Sequence, residues 1–302
     1  MLFRQLEYFV ALARERHFAR AASACYVSQP ALSEAIRKLE RELDVPLVLR
    51  GSSFEGLTPE GERLVPWARR ILADRDALEH EVTALRTGLT GELTLGVIPA
   101  AATSATQLTD PFCAAHPLVR VRMWAGLRSA DVVERIRRFE LDAGIIYPDG
   151  IDADGLTVTP LYTDRHVVLA HEDLLPEGDG ALSWSDAAQL PMCLLHSGMR
   201  GRDLIDEVAT AHGVRFAPRL ESDSVATLVA MVGAGRWATI VPRAWLATYR
   251  APSDTRVVEL AAPPGELGDR AELAARVALV RQAGEPESVL ARALADSAPN
   301  GG

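Results

Sequence analysis

Residues Phe18–Leu43 read FARAASACYVSQPALSEAIRKLEREL, and this stretch decides the fold of the first part of the chain. The spacing predicts two helices joined by a tight turn. Ser28 is placed to cap the second helix by accepting a hydrogen bond from an unpaired first-turn amide. Pro30 falls in the first turn, where a missing N–H costs little. Leu32, Ile36, Leu39 and Leu43 follow at i, i+4, i+7 and i+11 and form one apolar stripe. Ala21, Ala22 and Ala24 keep the preceding helix thin, so the two helices can approach closely. The other face of the second helix carries Gln29, Ser33, Glu34, Arg37 and Lys38. Amides and hydroxyls near its start, with cations further along, suit a helix that enters a DNA major groove.

Working outward, Leu6, Phe9, Val10 and Ala13 space an earlier helix, residues 3–16, onto the same small core. After the second helix, PLVLRGSSFEGLTPEG predicts two short strands around a turn at Gly51, Ser52, Ser53 and Gly56, with Arg50 at the base. Thr58-Pro59-Glu60 then opens a helix, with an N-cap, a proline in the first turn and an acid near the positive dipole end. That helix is expected to run to Thr87 and stop at Gly88. Leu64, Ile71, Leu78 and Leu85 recur along it every seven residues, with Ala68, Val82 and Leu89 between. A small domain offers no partner for such a stripe, so pairing with the same helix of a second chain is expected. The alternative is packing against the chain's own C-terminal body.

From Gly91 the texture changes to strand and helix in alternation. Strands are expected in GELTLGVIP, VRVRMWAG, AGIIY, DRHVVLA, MCLLH, ATIVP and VALVR. Helices are expected over Ser104–His116, SADVVERIRRFELD, Ser185–Ala188, Arg202–His212, Val225–Gly233 and SVLARALA. Alternation at this spacing implies parallel sheet. The length suits two α/β lobes, the second entered at 162 and left at 265, with the tail from 266 completing the first.

Composition bounds the function. At 302 residues with 48% apolar residues the chain has ample material for two or three cores. No apolar run is long enough to span a membrane, and the amphipathic start is not a signal peptide, so a cytoplasmic protein is expected. Cys25, Cys113 and Cys193 are odd in number and far apart, with no metal-site spacing. The net charge is −9, yet residues 1–90 carry 13 basic and 13 acidic side chains. A DNA-binding face there must be a local cluster within an acidic molecule.

The N-terminal pattern F-x-R-x-A-A-x-x-x-x-V-S-Q-P-A-L-S-x-x-I-x-x-L-E-x-x-L followed by L-T-P-E-G resembles the LysR-type transcriptional regulators. Phe18, Ala21-Ala22, Val27 to Ser33, Ile36, Leu39-Glu40, Leu43 and Leu57 to Gly61 carry it. A looser likeness continues in GELTLG (91–96), DAGI (142–145) and VGAGRWATIVP (232–242). The resemblance implies an α/β protein with an N-terminal winged helix-turn-helix (1–58), a dimerising linker helix (59–90) and a two-lobed effector domain like a periplasmic binding protein (91–302). It also implies a dimer of dimers, double-stranded promoter DNA and a small-molecule effector as partners, and RNA polymerase as a further partner. No cofactor, metal or catalytic residue is expected. The wing departs from the family's L-F-x-R by reading Leu47-Val48-Leu49-Arg50, without the aromatic. Position 34 is an acid where a basic or amide side chain is usual.

On DNA, Gln29, Ser33 and Glu34 are assigned to base edges, where Glu34 accepts from a cytosine amino group or else merely faces solvent. Ser28, Pro30, Arg37, Lys38 and Arg50 are assigned to the backbone. The effector is expected at the C-terminal ends of the strands. After the first strand come Pro99, Ala100, Thr103 and Ser104, the last two opening a helix whose free amides favour an anion. Arg128 and Ser129 follow the second strand, and His196, Ser197, Gly198 and Arg200 follow MCLLH in the second lobe. Two arginines and several hydroxyls suit a carboxylate or similar anion.

Three rival readings are weaker. A redox sensor of this family has a reactive cysteine in the loop after the second-lobe strand, which here reads His196-Ser197-Gly198-Met199-Arg200-Gly201. An enzyme lacks its signatures: there is no HExxH, GxSxG or Walker loop. A free-standing small-molecule binder has no use for residues 1–90.

Overall fold

The computed structural model describes residues 1–50, 54–178, 180–248, 251–261, 273–284 and 287–298; the side chains of Arg50 and Thr87 are outside that description. The turn expected at Gly51, Ser52 and Ser53, and the second lobe boundary expected at 265/266, lie outside the described residues. The chain forms two compact units, one built on Met1–Thr90 and one on the residues from Gly91 onward.

The first unit comprises α1 (Phe3–Glu15), α2 (Phe18–Ala24), α3 (Gln29–Leu43), β1 (Val48–Arg50), β2 (Phe54–Leu57) and α4 (Pro59–Thr87). Ser28 caps α3, its Oγ accepting from the Ala31 N–H at 3.4 Å. Leu32, Ile36 and Leu39 are fully buried against Leu6, Phe9 and Leu12 of α1 and Ala21 and Ala22 of α2. Each such side chain contributes about 1.5–3 kcal/mol by burial. Leu43 departs from the expected stripe and is 38% exposed: the last turn of α3 runs past the three-helix core and stops at Asp44, whose backbone is left-handed. Ala24 is exposed for the same reason at the end of α2.

Two acceptors fasten the hairpin β1–β2 to the helices. Glu40 Oε1 accepts from the amides of Leu47 at 2.9 Å and Val48 at 3.1 Å. Thr58 Oγ1 accepts from the Gly61 N–H at 2.9 Å, capping α4, and donates to the Pro46 carbonyl at 2.7 Å. A Cβ on Gly61 would stand 2.1 Å from the Leu47 carbonyl oxygen, so only glycine permits this approach.

The heptad stripe of α4 divides. Leu64 and Ile71 pack on the unit's own core, which corrects the expectation that the stripe has no partner there. Trp67, Leu78, Val82 and Leu85 remain exposed.

The second unit begins with β3 (Gly91–Val97), α5 (Ala105–Ala115), β4 (Val119–Ala125), α6 (Ser129–Arg137), β5 (Ala143–Ile146) and β6 (Leu156–His171). It continues with α7 (Trp184–Gln189), β7 (Cys193–Leu195), α8 (Arg200–Ala211), β8 (Leu220–Ser222), α9 (Val225–Gly233), β9 (Ala238–Pro242), α10 (Arg243–Thr248), β10 (Thr255–Val258), β11 (Ala274–Gln282) and α11 (Val289–Asp296). Strands run β10-β6-β11-β5-β3-β4, with β9 also on β6 and β7–β8 a separate pair.

The sheet is mixed, which corrects the parallel one expected. β3 is parallel to β4 and β5, but β11 is antiparallel to β5 and β6. The reason is that β11 returns to the first lobe as a strand between existing neighbours. α6 is also shorter than expected, ending at Arg137, with Phe139 in the left-handed region at φ 55°. It lies directly on the sheet: a Cβ on Gly144 would meet Val132 Cγ1 at 2.1 Å.

β6 joins the lobes. Residues 156–165 pair with β11, and His166–His171 pair with β9 and β10. The change of partner falls between Arg165 and His166, beyond the 161/162 boundary expected. In the second lobe β6 is buried on both faces, with Val168 and Ala170 in one core cluster and Leu169 in the other.

Candidate functional site

The exposed face of α3 presents Gln29 and Pro30 in the first turn, then Glu34, Arg37 and Lys38, with Ser33 half-buried and the cap Ser28 exposed. Glu34 is not a bare acid. Its carboxylate lies 2.9 Å from Arg41 and 3.5 Å from Arg37. Arg41 escaped the sequence reading, although its position seven residues after Glu34 puts it on the same helical face. The Arg50 backbone pairs with Phe54 in the wing; its side chain lies outside the described residues. Tyr26, in the turn before α3, is 96% exposed and left-handed at φ 55°.

In the second unit a cleft of about 20 Å³ is lined by Ile98, Pro99, Ala100, Leu127, Arg128, Ser129, Tyr147, Leu195, Met199, Arg200 and Gly201. Of the expected effector residues it gathers Pro99, Ala100, Arg128, Ser129 and Arg200. Two helix N-termini converge here, since Ser129 opens α6 and Arg200 opens α8. Their first-turn amides carry partial positive charge. Arg128 spans to the opposite loop, its guanidinium 3.7 Å from where a Gly198 Cβ would stand. Arg200 pairs with Glu207, and Asp203 already accepts from the Gly198 N–H at 2.9 Å.

Five expected residues are not on this lining. His196 and Ser197 are exposed beyond it, and Gly198 borders it only through Arg128. Thr103 and Ser104 are buried behind it; the Ser104 hydroxyl donates to the Ala101 carbonyl at 3.2 Å and shares a hydrogen bond with Tyr162. Neither is on the cleft lining, and the Thr103 hydroxyl is buried without a partner.

Tyr147 was missed. It follows the third strand, β5, and a consistent search of strand ends would have found it. Its hydroxyl is buried without a hydrogen-bond partner, as are Ser129 Oγ, both oxygens of Asp164 and Nδ1 of His166. The Tyr147 and His166 rings are 6.3 Å apart. Burial pushes Asp164 up to about 7, with the nearby Ala244 amide pulling the other way. Burial pushes His166 down to about 4 and Tyr162 up to about 12. It raises Tyr147 well above the ordinary phenol range, with the Asp164 charge adding to the effect.

Among the described residues no group of three or more His, Cys, Asp or Glu side chains is placed to hold a metal. No helix among them is long and apolar enough to cross a membrane. Cys193 is fully buried, its thiol pushed up to about 11 by desolvation.

Comparison with known proteins shows the family. Residues 3–62 match the bacterial regulatory helix-turn-helix protein model of the lysR family, and residues 86–300 match the LysR substrate binding domain. The SDS degradation transcriptional activation protein of a Pseudomonas strain is 32% identical over 302 residues, covering 96% of this chain and 93% of that protein. A full-length OxyR structure from Pseudomonas aeruginosa superposes with TM-score 0.75 at 27% identity, covering 98% of this chain and 94% of that one. CbnR complexed with its target DNA has the same fold, with TM-score 0.68 at 20% identity over 99% of each chain. The chain belongs to the LysR family of transcriptional regulators, with a helix-turn-helix DNA-binding domain and a two-lobed substrate-binding domain.

Proposed function

We propose that this regulator binds promoter DNA through α3 and the β1–β2 wing, and that a small anion in the cleft between the lobes controls it. The observation that carries the second half is the convergence of the α6 and α8 N-termini with Arg128 and Arg200 on one cleft. Two positive dipole ends and two guanidiniums favour a carboxylate over a neutral or cationic ligand. Gln29, Ser33 and Glu34 read base edges in this proposal; Ser28, Pro30, Arg37, Lys38 and Arg50 hold the backbone. Pro99, Ala100, Arg128, Ser129 and Arg200 line the effector site.

The exposed apolar face of α4 supports self-association through that helix, and four chains as a dimer of dimers follow the family pattern. RNA polymerase is a further partner in this reading, the protein works in the cytoplasm, and it catalyses no reaction. A thiol-based redox sensor is the weaker reading. The loop 196–201 has no cysteine, and burial keeps Cys193 protonated, whereas thiol reactivity requires the thiolate.

The test is a footprint of the purified protein on the DNA upstream of its own gene, at two salt concentrations and with a panel of small carboxylic acids. Protection over several helical turns, altered by one of the acids, is the expected result. Absence of any protected site there and in genome-wide selection would overturn the DNA-binding assignment. Protection indifferent to every acid would overturn the anion assignment.

A further inference from the structure

Next to the cleft, three buried polar side chains lie together that the anion site does not explain. Tyr147 is 2% exposed, Asp164 2% and His166 4%. The Tyr147 hydroxyl, both Asp164 oxygens and His166 Nδ1 have no hydrogen-bond partner. Buried polar groups are nearly always paired, and each exception requires a cause. Here the exceptions are contiguous. Tyr147 lines the cleft; its ring adjoins His166, and its hydroxyl feels the Asp164 charge. The Ala244 amide partly offsets the burial of Asp164, but among the described residues no cation pairs with it, and a buried carboxylate without a counter-charge is strongly disfavoured.

All three groups can accept hydrogen bonds: a carboxylate oxygen, an imidazole nitrogen and a phenol oxygen. A primary ammonium has three donors and one positive charge. A metal ion fits less well, since the cluster offers a single carboxylate and a single imidazole. We infer that Tyr147, Asp164 and His166 receive the ammonium end of a small zwitterion whose carboxylate occupies the Arg128/Arg200 cleft, so that the effector is of the amino-acid class. This rests on the anion reading of the cleft and adds the second pole. Ser129, which is 5% exposed with an unpartnered Oγ, lines the same cleft as Tyr147 and offers the ligand one more hydrogen-bonding group.

The experiment titrates the purified full-length protein with each of the twenty common L-amino acids and with its deaminated counterpart, such as propionate for alanine. The melting temperature is the first readout and calorimetric affinity the second. At least one amino acid is expected to raise the melting temperature with concentration. Its deaminated counterpart should bind roughly ten- to a hundredfold more weakly, the worth of a charge-assisted contact. Asp164→Asn should abolish that preference while leaving the weak binding of the deaminated acid. Tyr147→Phe, which removes one oxygen and no charge, should reduce the preference severalfold and serves if the first variant fails to fold. Equal binding of amino acid and deaminated acid, or a preference that survives both substitutions, overturns the ammonium assignment and leaves the anion cleft standing. Absence of binding by either class overturns both.

Discussion

The carboxylate of Glu34 sits 2.9 Å from the guanidinium of Arg41, two turns further along α3, and 3.5 Å from Arg37. An acid on the exposed face of α3 thereby tethers two cations on that face. The three side chains are all more than half exposed, so the network adds at most about 1 kcal/mol to stability. Its effect is on binding. Glu34→Gln should leave the melting temperature unchanged and tighten binding to random-sequence duplex severalfold, with a salt slope steeper by about one. Anisotropy titrations at several salt concentrations measure both; an unchanged slope removes the tether from the account.

Arg37→Ala should act differently. Binding should weaken on every sequence, and the salt slope should fall by about one, as expected for one lost phosphate contact. A loss confined to one base position would reassign Arg37 to base reading.

The exposed face of α4 gives a prediction about assembly. Leu78 is 64% exposed and Leu85 81%, and both lie beyond the part of the stripe that packs internally. Leu78→Glu with Leu85→Glu should produce a folded monomer by sedimentation. Affinity for a full operator should drop by orders of magnitude, because two linked modules gain from effective concentration. A double variant that still sediments as wild type would show that this face is not the interface.

Gly61→Ala tests the joint between wing and linker helix. The added methyl would stand 2.1 Å from the Leu47 carbonyl oxygen, and backbone must move to admit it. The expected destabilisation is about 1–3 kcal/mol, read as a lower denaturant midpoint. No loss would mean that β1 is free to shift at Leu47.

The buried pair Asp164 and His166 makes stability depend on pH in a defined sense. Asp164 is raised to about 7 in the folded chain, so the folded state holds this proton more tightly than the unfolded state. Its penalty is absent below the unfolded value near 4, grows as pH rises and is complete above about 7. His166, lowered to about 4, acts in reverse: its penalty is complete at low pH and is gone above its unfolded value near 6.5. The two oppose each other between about 4 and 6.5, and Asp164 alone acts just above that window. Asp164→Asn should therefore raise the melting temperature at pH 8 and leave it nearly unchanged at pH 4. A constant difference across that range would mean that Asp164 ionises normally.

Much of the first unit was legible because each element there is local. The cap at Ser28, the stripe Leu32–Ile36–Leu39 and the start at Thr58-Pro59 all depend on neighbours within a few residues. Leu43 was misjudged because periodicity does not say where the opposing core ends. The first half of β6 was not recognised since Pro160 interrupts its pattern; the structure admits the proline where β6 has only β11 beside it, at a bulge between Val277 and Ala278. The direction of β11 could not be read either, because it depends on a return across the second lobe and not on its own residues. In the cleft, strand-end logic found Arg128, Ser129 and Arg200. It did not foresee that Thr103 and Ser104 are buried off the lining, with the Ser104 hydroxyl bonded to Tyr162. Asp164 and His166 carried no local sign, since a polar residue in a strand is ordinary until its surroundings are known.

The continuity of β6 restricts how the two lobes can respond to one another. Sixteen residues of unbroken strand pass from one pleated layer into the other, and a strand shares its backbone bonds with neighbours on whichever sheet it occupies. Sliding one lobe along the other would break a ladder at every step, whereas flexing costs little at the single place where the neighbours are exchanged. That place is bracketed by Asp164 and His166. The exchange of strand partners and the unmet polarity thus coincide at one point along the chain.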